Sequence, residues 1–282
     1  MNYGGQAVIE GVMMRSKKFM TIAVRLENGK LKIKRKRLNP VPFSNIYFLR
    51  GIFYLIDTVK VGIKSLNWSA EQQLEEDEKE AGAFLTIGAS LISIIIAIIL
   101  FKFLPLSVAK LINPSNLFLF NLIDGGIKLF IFIAYIWIIS KFKDIARIFQ
   151  FHGAEHKAIG CLEYNEELNV KNCKKYEKEH KRCGTNFLFI VIFVSIFVYL
   201  FIPLKMGLIS NLSLRILLLP FIAAVSYEII KLGGKYDNWF VKVISYPGIL
   251  IQKLTTKEPN DEQLEVGILA LKELIELDKN YK

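Results

Sequence analysis

Apolar residues in this chain gather into long runs. Four stand out: Ala83–Leu104, Leu117–Ser140, Phe187–Leu204 and Leu212–Ile230. A helix needs about 20 mostly apolar residues to cross a bilayer. "FLTIGASLISIIIAIILF" and "FLFIVIFVSIFVYLFIPL" meet that length almost without polar side chains. The pattern predicts four transmembrane helices, at about 83–104, 117–140, 187–204 and 212–230. Two of the runs carry charges. Lys128 and Arg215 read as side chains that snorkel toward an interface. Asp124 and Glu228 read as facing the bundle interior, where an ionisable group is a functional candidate.

Elsewhere the periodicity changes. "MTIAVRL" and "KLKIKRKRL" flank "ENGK", and Asn-Gly between such runs predicts a β-hairpin. A glycine-rich turn precedes it. Residues 50–70 repeat apolar positions at helical spacing but hold too many charges to cross. They predict a helix lying in the membrane interface or buried beside it. The acidic run "EQQLEEDEKE" reads as a solvated helical extension, or as an electrostatic partner of the basic hairpin. "KFKDIARIFQFHGAEHKAIGCLEY" keeps helical periodicity, "NEELNVKNC" reads as a loop, and "KKYEKEHKRCGTN" as a short polar helix or turn. Gly233-Gly234 should stop the fourth span. A second interfacial helix follows, then an amphipathic terminal helix capped by Asn260 or Asp261.

The fold class expected is mainly α: a polytopic membrane protein with four transmembrane helices, interfacial amphipathic helices and a small N-terminal cytoplasmic β-hairpin. Its parts are the glycine-rich segment and hairpin (1–49), the amphipathic and acidic helical region (50–82), the transmembrane domain (83–230, enclosing the loop 141–186) and the C-terminal helices (231–282). No internal repeat is visible beyond a loose two-plus-two arrangement of spans.

Composition agrees with a membrane protein: 52% of the 282 residues are hydrophobic and the mean hydropathy is +0.35. Charge gives an orientation. Residues 1–50 hold eleven Lys/Arg against two Asp/Glu, and residues 141–186 hold ten against seven. Basic segments stay on the cytoplasmic side, so both termini and the central loop are expected there, in a bacterial cell membrane. The first 45 residues are polar and basic and do not read as a cleavable signal peptide. The net charge of +11 suits anionic lipid. Nucleic acid is not expected as a partner, because no aromatic-interleaved basic motif occurs. Lipids are the expected partners, and a homo-oligomer is left open. The three cysteines, an odd number on a reducing side, argue against a disulfide framework.

All three histidines fall between residues 152 and 180. His152, Glu155 and His156 form H-x-x-E-H. On a helix, residues four apart share a face, so both imidazoles can meet one metal ion, with Glu155 bordering that face. In inverted zinc peptidases this pattern supplies two ligands and a glutamate that activates water. A third ligand must come from elsewhere: His180 or Cys183, which are three apart, or more distantly Glu228. The alternative is a pair of ordinary polar helix residues. Cys161 lies off the histidine face and is expected to pack; Cys173 reads as loop decoration. In "GGQAVIEGVMMR", Glu10 is either a carboxylate delivered to the site or part of a tight turn. "RCGTN" either binds an anion through Arg182 and backbone, or starts a helix capped by Thr185.

"GGQAVIEGVMMR", "LNWSA", "HGAEHKAI", "RCGTNF" and "LTTKEPNDEQLEV" together resemble the YqhQ-like family of bacterial membrane proteins. The resemblance runs in order from the N-terminus to about residue 270. That family is a domain of unknown function described as predicted metal-dependent enzymes. The resemblance implies His152, Glu155, His156, His180 and Cys183 at motif positions. Lys181 stands where the family pattern has proline, and Ser16–Lys17 where it has Gly-Pro; neither is a potential ligand. The leading expectation is a membrane hydrolase with a divalent metal, zinc above others, and Glu155 as general base. A membrane scaffold with a structural metal, and a small transporter using Asp124 and Glu228, are the alternatives.

Overall fold

A computed structural model describes residues 3–74, 79–112, 114–180, 183–203, 205–233 and 239–281. The N-terminal segment forms a four-stranded antiparallel sheet in the order β1 (Gly4–Val8), β2 (Gly11–Arg15), β3 (Phe19–Arg25), β4 (Leu31–Arg37). The expected hairpin is its β3–β4 half, turning at Asn28-Gly29 with Gly29 at φ +78°. The glycine-rich stretch, expected as a turn, instead supplies two further strands, which turn at Ile9-Glu10 with Glu10 at φ 53°. Alternation fails as a signal here because both sheet faces are covered. Val12, Met14, Phe19 and Ala23 pack into one core. Val8, Met13, Met20, Ile22 and Val24 pack on the other side, around Val61 and Trp68.

Helix α1 (Leu49–Glu71) covers this second face. Its buried residues are small: Gly51, Gly62, Ser65 and Ser69, with Val61. The Gln6 amide donates to the Gly62 carbonyl at 3.2 Å, and the Ile9 N–H donates to Ser69 Oγ at 3.1 Å. Its large apolar residues Ile56, Val59, Ile63 and Leu66 stay exposed, which fits an interfacial helix better than a buried one. Within the acidic run, residues 75–78 lie outside the described residues.

Two helical stretches are long and apolar enough to cross a membrane, Leu91–Ile112 and Leu117–Ile139. The first reaches beyond the expected end at 104. It joins α2 (Lys79–Ile98) to α3 (Leu104–Ile112) through a π turn at Ile99–Phe103. Pro105 has no N–H for the helix ladder, and the wider turn just before it lets the chain continue. The second is α4 (Leu117–Ile139), capped by the Asn116 side chain on the Phe118 and Leu119 N–H groups. The third apolar run gives a shorter helix, Asn186–Phe201, made of α7 (Gly184–Val198) and a 3-10 turn at Tyr199–Phe201. The fourth is broken by 43° between α8 (Leu208–Leu217) and α9 (Leu219–Gly233). Pro220 removes a ladder donor at that break. Among the described residues, two helices therefore pass for spans, or three if the bent pair is one span, not clearly the four expected.

Lys128 and Arg215 do not snorkel. Both are buried, at 3% and 1% exposure, and both bond Asp124 Oδ2 at 2.5 Å. An unpaired buried charge is far costlier than a paired one, and the carboxylate offers both cations a partner inside the bundle.

Helix α5 (Lys143–Glu163) and the short α6 (Val170–Cys173) follow α4. Cys161 packs in the core as expected, but so does Cys173, which is not loop decoration. The region 239–255 forms α10 (Trp239–Thr255), with Pro247 inside it. It packs on α7 and α4, and buries Ile251 and Gln252, so it is less peripheral than the interfacial helix expected. The last helix, α11 (Asp261–Asn280), starts at a capping box built by Asn260 and Gln263. It buries Leu264, Val266, Ile268, Ala270, Leu271 and Leu274, at roughly 1.5–3 kcal/mol for each large aliphatic side chain. Sheet, α5, α6 and α11 share this core.

Candidate metal centre

Helix α5 places the site. Its buried stretch runs from Phe151 to Cys161, with only His152 partly exposed in it. The glycine inside the motif explains how the backbone comes so close. A Cβ on Gly153 would lie 2.2 Å from the Lys257 carbonyl oxygen. Without one, the segment after α10 lies directly on α5, and Lys257 donates its N–H to the Phe149 carbonyl at 2.9 Å. The Thr255 carbonyl then meets His152 Nδ1 at 2.9 Å. On the other flank, the Lys178 carbonyl lies 2.5 Å from His156 Nδ1. A carbonyl can only accept, so each Nδ1 carries the hydrogen and each Nε2 keeps its lone pair. Outer hydrogen bonds of this kind orient imidazole ligands toward a metal.

The third donor is Cys183. Its Sγ lies 3.3 Å from His152 Nε2. His152, His156 and Cys183 can each place a donor atom within 4.8 Å of the others. Ligand atoms around one zinc ion sit roughly 3–4 Å apart, so small side-chain movements gather these three on an ion. Two imidazoles and a thiol select zinc-like ions over magnesium or calcium. Three protein ligands leave a fourth position open.

Glu155 borders the trio. Its Oε2 lies 3.5 Å from His156 Nε2, and the residue is 4% exposed. Burial pushes its carboxyl up to about 7, against the opposing pull of His152 and a hydrogen bond from the Gly5 N–H. Burial holds His156 well below the usual imidazole range, with His152 adding to the effect. His156 is therefore neutral, and the contact with Glu155 is not an ion pair. The glycine-rich strand closes this side: a Cβ on Gly5 would meet Met13 O at 2.5 Å and Glu155 Cγ at 2.9 Å.

His180 stands just outside. Its ring centroid is 5.7 Å from that of His156, and its Nε2 bonds Glu163 Oε2 at 3.1 Å. Its backbone is clasped by Gln252, which accepts from the His180 N–H at 2.7 Å and donates to the His180 carbonyl at 2.9 Å. The same amide donates to Asn186 Oδ1 at 3.1 Å. Gln252 thus fixes both ends of the segment carrying Cys183. Sequence reasoning missed it, although a glutamine within "GILIQKL" is a signal that a buried amide has work to do.

The remaining candidates do not join the trio. Glu10 is held by Arg147 through two hydrogen bonds, and Glu228 by Arg50 in the same way. Asp124 lies in the bundle with Lys128 and Arg215. Arg182 falls outside the described residues.

Comparison with known proteins follows this geometry. The family described as "Protein of unknown function (DUF1385)" matches residues 46–277. The chain is 36% identical to "Uncharacterized protein YqhQ" of Bacillus subtilis (strain 168), covering 98% of this chain and 93% of that protein. No solved structure matches. The match spans the sheet's neighbour α1, the apolar helices, the three candidate ligands and α11, and the chain belongs to the DUF1385, YqhQ-like family.

Proposed function

We propose that this is an integral membrane protein with a single divalent metal centre, zinc the best match, and that it acts as a hydrolase at the cytoplasmic face of a bacterial membrane. The observation that carries the reading is the pair of carbonyl-held imidazoles, with His152 Nε2 3.3 Å from Cys183 Sγ, His156 Nε2 beside the buried Glu155 carboxyl, and a donor atom of each of the three within 4.8 Å of the others. A divalent ion on these donors supplies Lewis-acid polarisation. Glu155 is the general base and then the general acid. A carboxyl that titrates near neutrality takes a proton from the attacking water and returns it to the leaving group. Cys183 directly precedes α7, so the substrate meets the site at the end of the apolar helices and is membrane-adjacent.

In this reading Asn186–Phe201 and the bent α8–α9 pair join the two longer helices as crossings. The shared core of sheet, α5 and α11 supports one common side for the N-terminal region, the central segment and the C-terminal helix. Their Lys/Arg content supports the cytoplasmic side.

A structural metal in a membrane scaffold is the second reading. The close approach of Gly5 favours it, because a Cβ there would lie 2.9 Å from Glu155 Cγ, so β1 packs on α5 over the site. Transport has less support: Asp124 and Glu228 sit in separate ion pairs. Metal analysis of purified protein, together with complementation of a deletion strain by Glu155→Gln at matched abundance, separates the two. A hydrolase keeps its metal and loses function by roughly 10²–10⁴-fold in rate. Full rescue by Glu155→Gln leaves the scaffold.

A further inference from the structure

Three irregular points in the apolar helices converge on one buried polar cluster. The π turn carries Lys102, the 3-10 turn carries Tyr199, and Arg215 sits just before the α8–α9 break. Helix α4 adds Asn121, Asp124 and Lys128. Arg215 is fully engaged: Nε with Asn211 Oδ1 at 2.7 Å, NH1 with Asp124 Oδ2 at 2.5 Å, NH2 with Asn121 Oδ1 at 2.9 Å. Lys128 also donates to Asp124 Oδ2, at 2.5 Å, and Lys102 donates to Tyr199 Oη at 3.1 Å. The Tyr199 ring gathers all three cations, with centroid distances of 4.3 Å to Arg215, 5.0 Å to Lys128 and 5.6 Å to Lys102.

Three basic side chains, Lys102, Lys128 and Arg215, share one carboxylate, and burying charge is expensive unless a counter-ion is near. Each ammonium has three N–H donors, of which the contacts above use one apiece. A separate observation points the same way. Among the described residues, the buried polar side-chain atoms without a hydrogen-bond partner are Ser107 Oγ and Asp124 Oδ1. Both lie in these helices, Ser107 on α3, which packs against α4. The cluster therefore offers spare lysine N–H donors, an excess of basic over acidic side chains and a waiting carboxylate acceptor. An oxyanion that still carries a hydroxyl matches all of these. Its bare oxygens accept from the lysines, and its hydroxyl donates to Asp124 Oδ1. Sulfate and phosphodiesters lack that hydroxyl at neutral pH.

We propose that this cluster binds a phosphate bearing an ionisable hydroxyl, either inorganic phosphate or the phosphomonoester headgroup of a lipid. Lys102, partly exposed, marks the approach. Asp124 and Lys128 precede Ser140 by 16 and 12 residues, roughly 18–24 Å along α4, so the cluster is separate from the metal centre at the other end.

The test uses the full chain in phosphatidylcholine nanodiscs, with chelator present so that phosphate has no metal to bind. Inorganic phosphate should raise the melting midpoint saturably, sulfate should not, and Lys102→Gln should weaken the effect roughly tenfold or more, as expected for losing a charge-assisted hydrogen bond. If the source is a lipid, inorganic phosphate does nothing, while phosphatidic acid in the disc stabilises and phosphatidylglycerol does not. Failure of both inorganic phosphate and phosphatidic acid to bind overturns the proposal; so does binding in which sulfate equals phosphate, or in which Lys102→Gln and Lys128→Gln both bind as the wild type does. Lys102→Gln removes contacts to one residue, Tyr199; should it fail to fold, the wild-type comparison of phosphate with sulfate decides alone.

Discussion

His152 Nε2 and Cys183 Sγ lie 3.3 Å apart across 31 residues of chain. That distance makes Cys183 the third candidate ligand of the proposed centre. Removing Cys183 or either motif histidine should reduce metal affinity by more than the roughly 10–100-fold typical of losing an outer hydrogen-bond partner. His180→Ala should keep full stoichiometry, since its ring nitrogen is engaged with Glu163. Elemental analysis of the purified variants reads this directly. Metal loss in His180→Ala with retention in Cys183→Ala would reverse the assignment.

The raised carboxyl of Glu155 predicts a pH signature in metal-free protein. Its folded value of about 7 stands above the ordinary 4.5, so the folded state binds the proton more tightly. Its contribution to stability is therefore lost as pH rises from about 4.5 to about 7, and is constant above that. Glu155→Gln lacks this dependence. It should gain on the wild type across that window, reaching an offset of order 3 kcal/mol. Unfolding of both proteins in chelator, measured from pH 4 to pH 8, checks the sign; parallel curves would refute it.

Gly5→Ala tests the closure of the site by β1. The new methyl group meets backbone and the Glu155 side chain at once, and overpacking of this kind costs about 1–3 kcal/mol. Weaker metal retention is expected along with the lower stability. Gly4→Ala, which meets nothing within 4 Å, is the matched control and should behave as the wild type does.

The proposed topology predicts that reporters fused before residue 3 and after residue 281 are both active only as cytoplasmic fusions. The native thiols are poor probes, because Cys161, Cys173 and Cys183 are all buried. An externally active reporter at either end would invert the placement of the metal centre.

Local signals in the sequence carried the elements that depend on local chemistry. Asn28-Gly29 gave the β3–β4 turn, His152 and His156 shared a face by spacing alone, and Asn260 capped the last helix. What stayed hidden depends on distant partners. Cys183 and His180 were equivalent candidates from sequence; Cys183 Sγ lies 3.3 Å from His152 Nε2, whereas His180 Nε2 bonds Glu163 and its backbone is held by Gln252. Lys128 and Arg215 looked like interface residues because Asp124 and Arg215 are 91 residues apart. Strands β1 and β2 showed little alternation because both their faces are covered. The first apolar run was read as ending just before Pro105, where the helix instead continues through a widened turn, and the fourth was read straight through Pro220, where it bends.

Thr21 on β3 donates its hydroxyl to the Ala270 carbonyl on α11 at 2.7 Å, from 249 residues away. Strand β3 therefore receives its cover from a helix synthesised 249 residues later. At about 5–20 residues per second, the apolar face of Val12, Met14, Phe19 and Ala23 waits on the order of ten seconds to a minute while the intervening helices are made. During that interval Gly5 has no fixed sheet to hold it over Glu155. A message truncated before residue 261 would yield a chain with every apolar helix and every candidate ligand, yet without the lid of its N-terminal sheet, and quality-control proteases would meet it in that state. Synthesis of α11, rather than arrival of the candidate ligands, sets when the proposed centre can assemble.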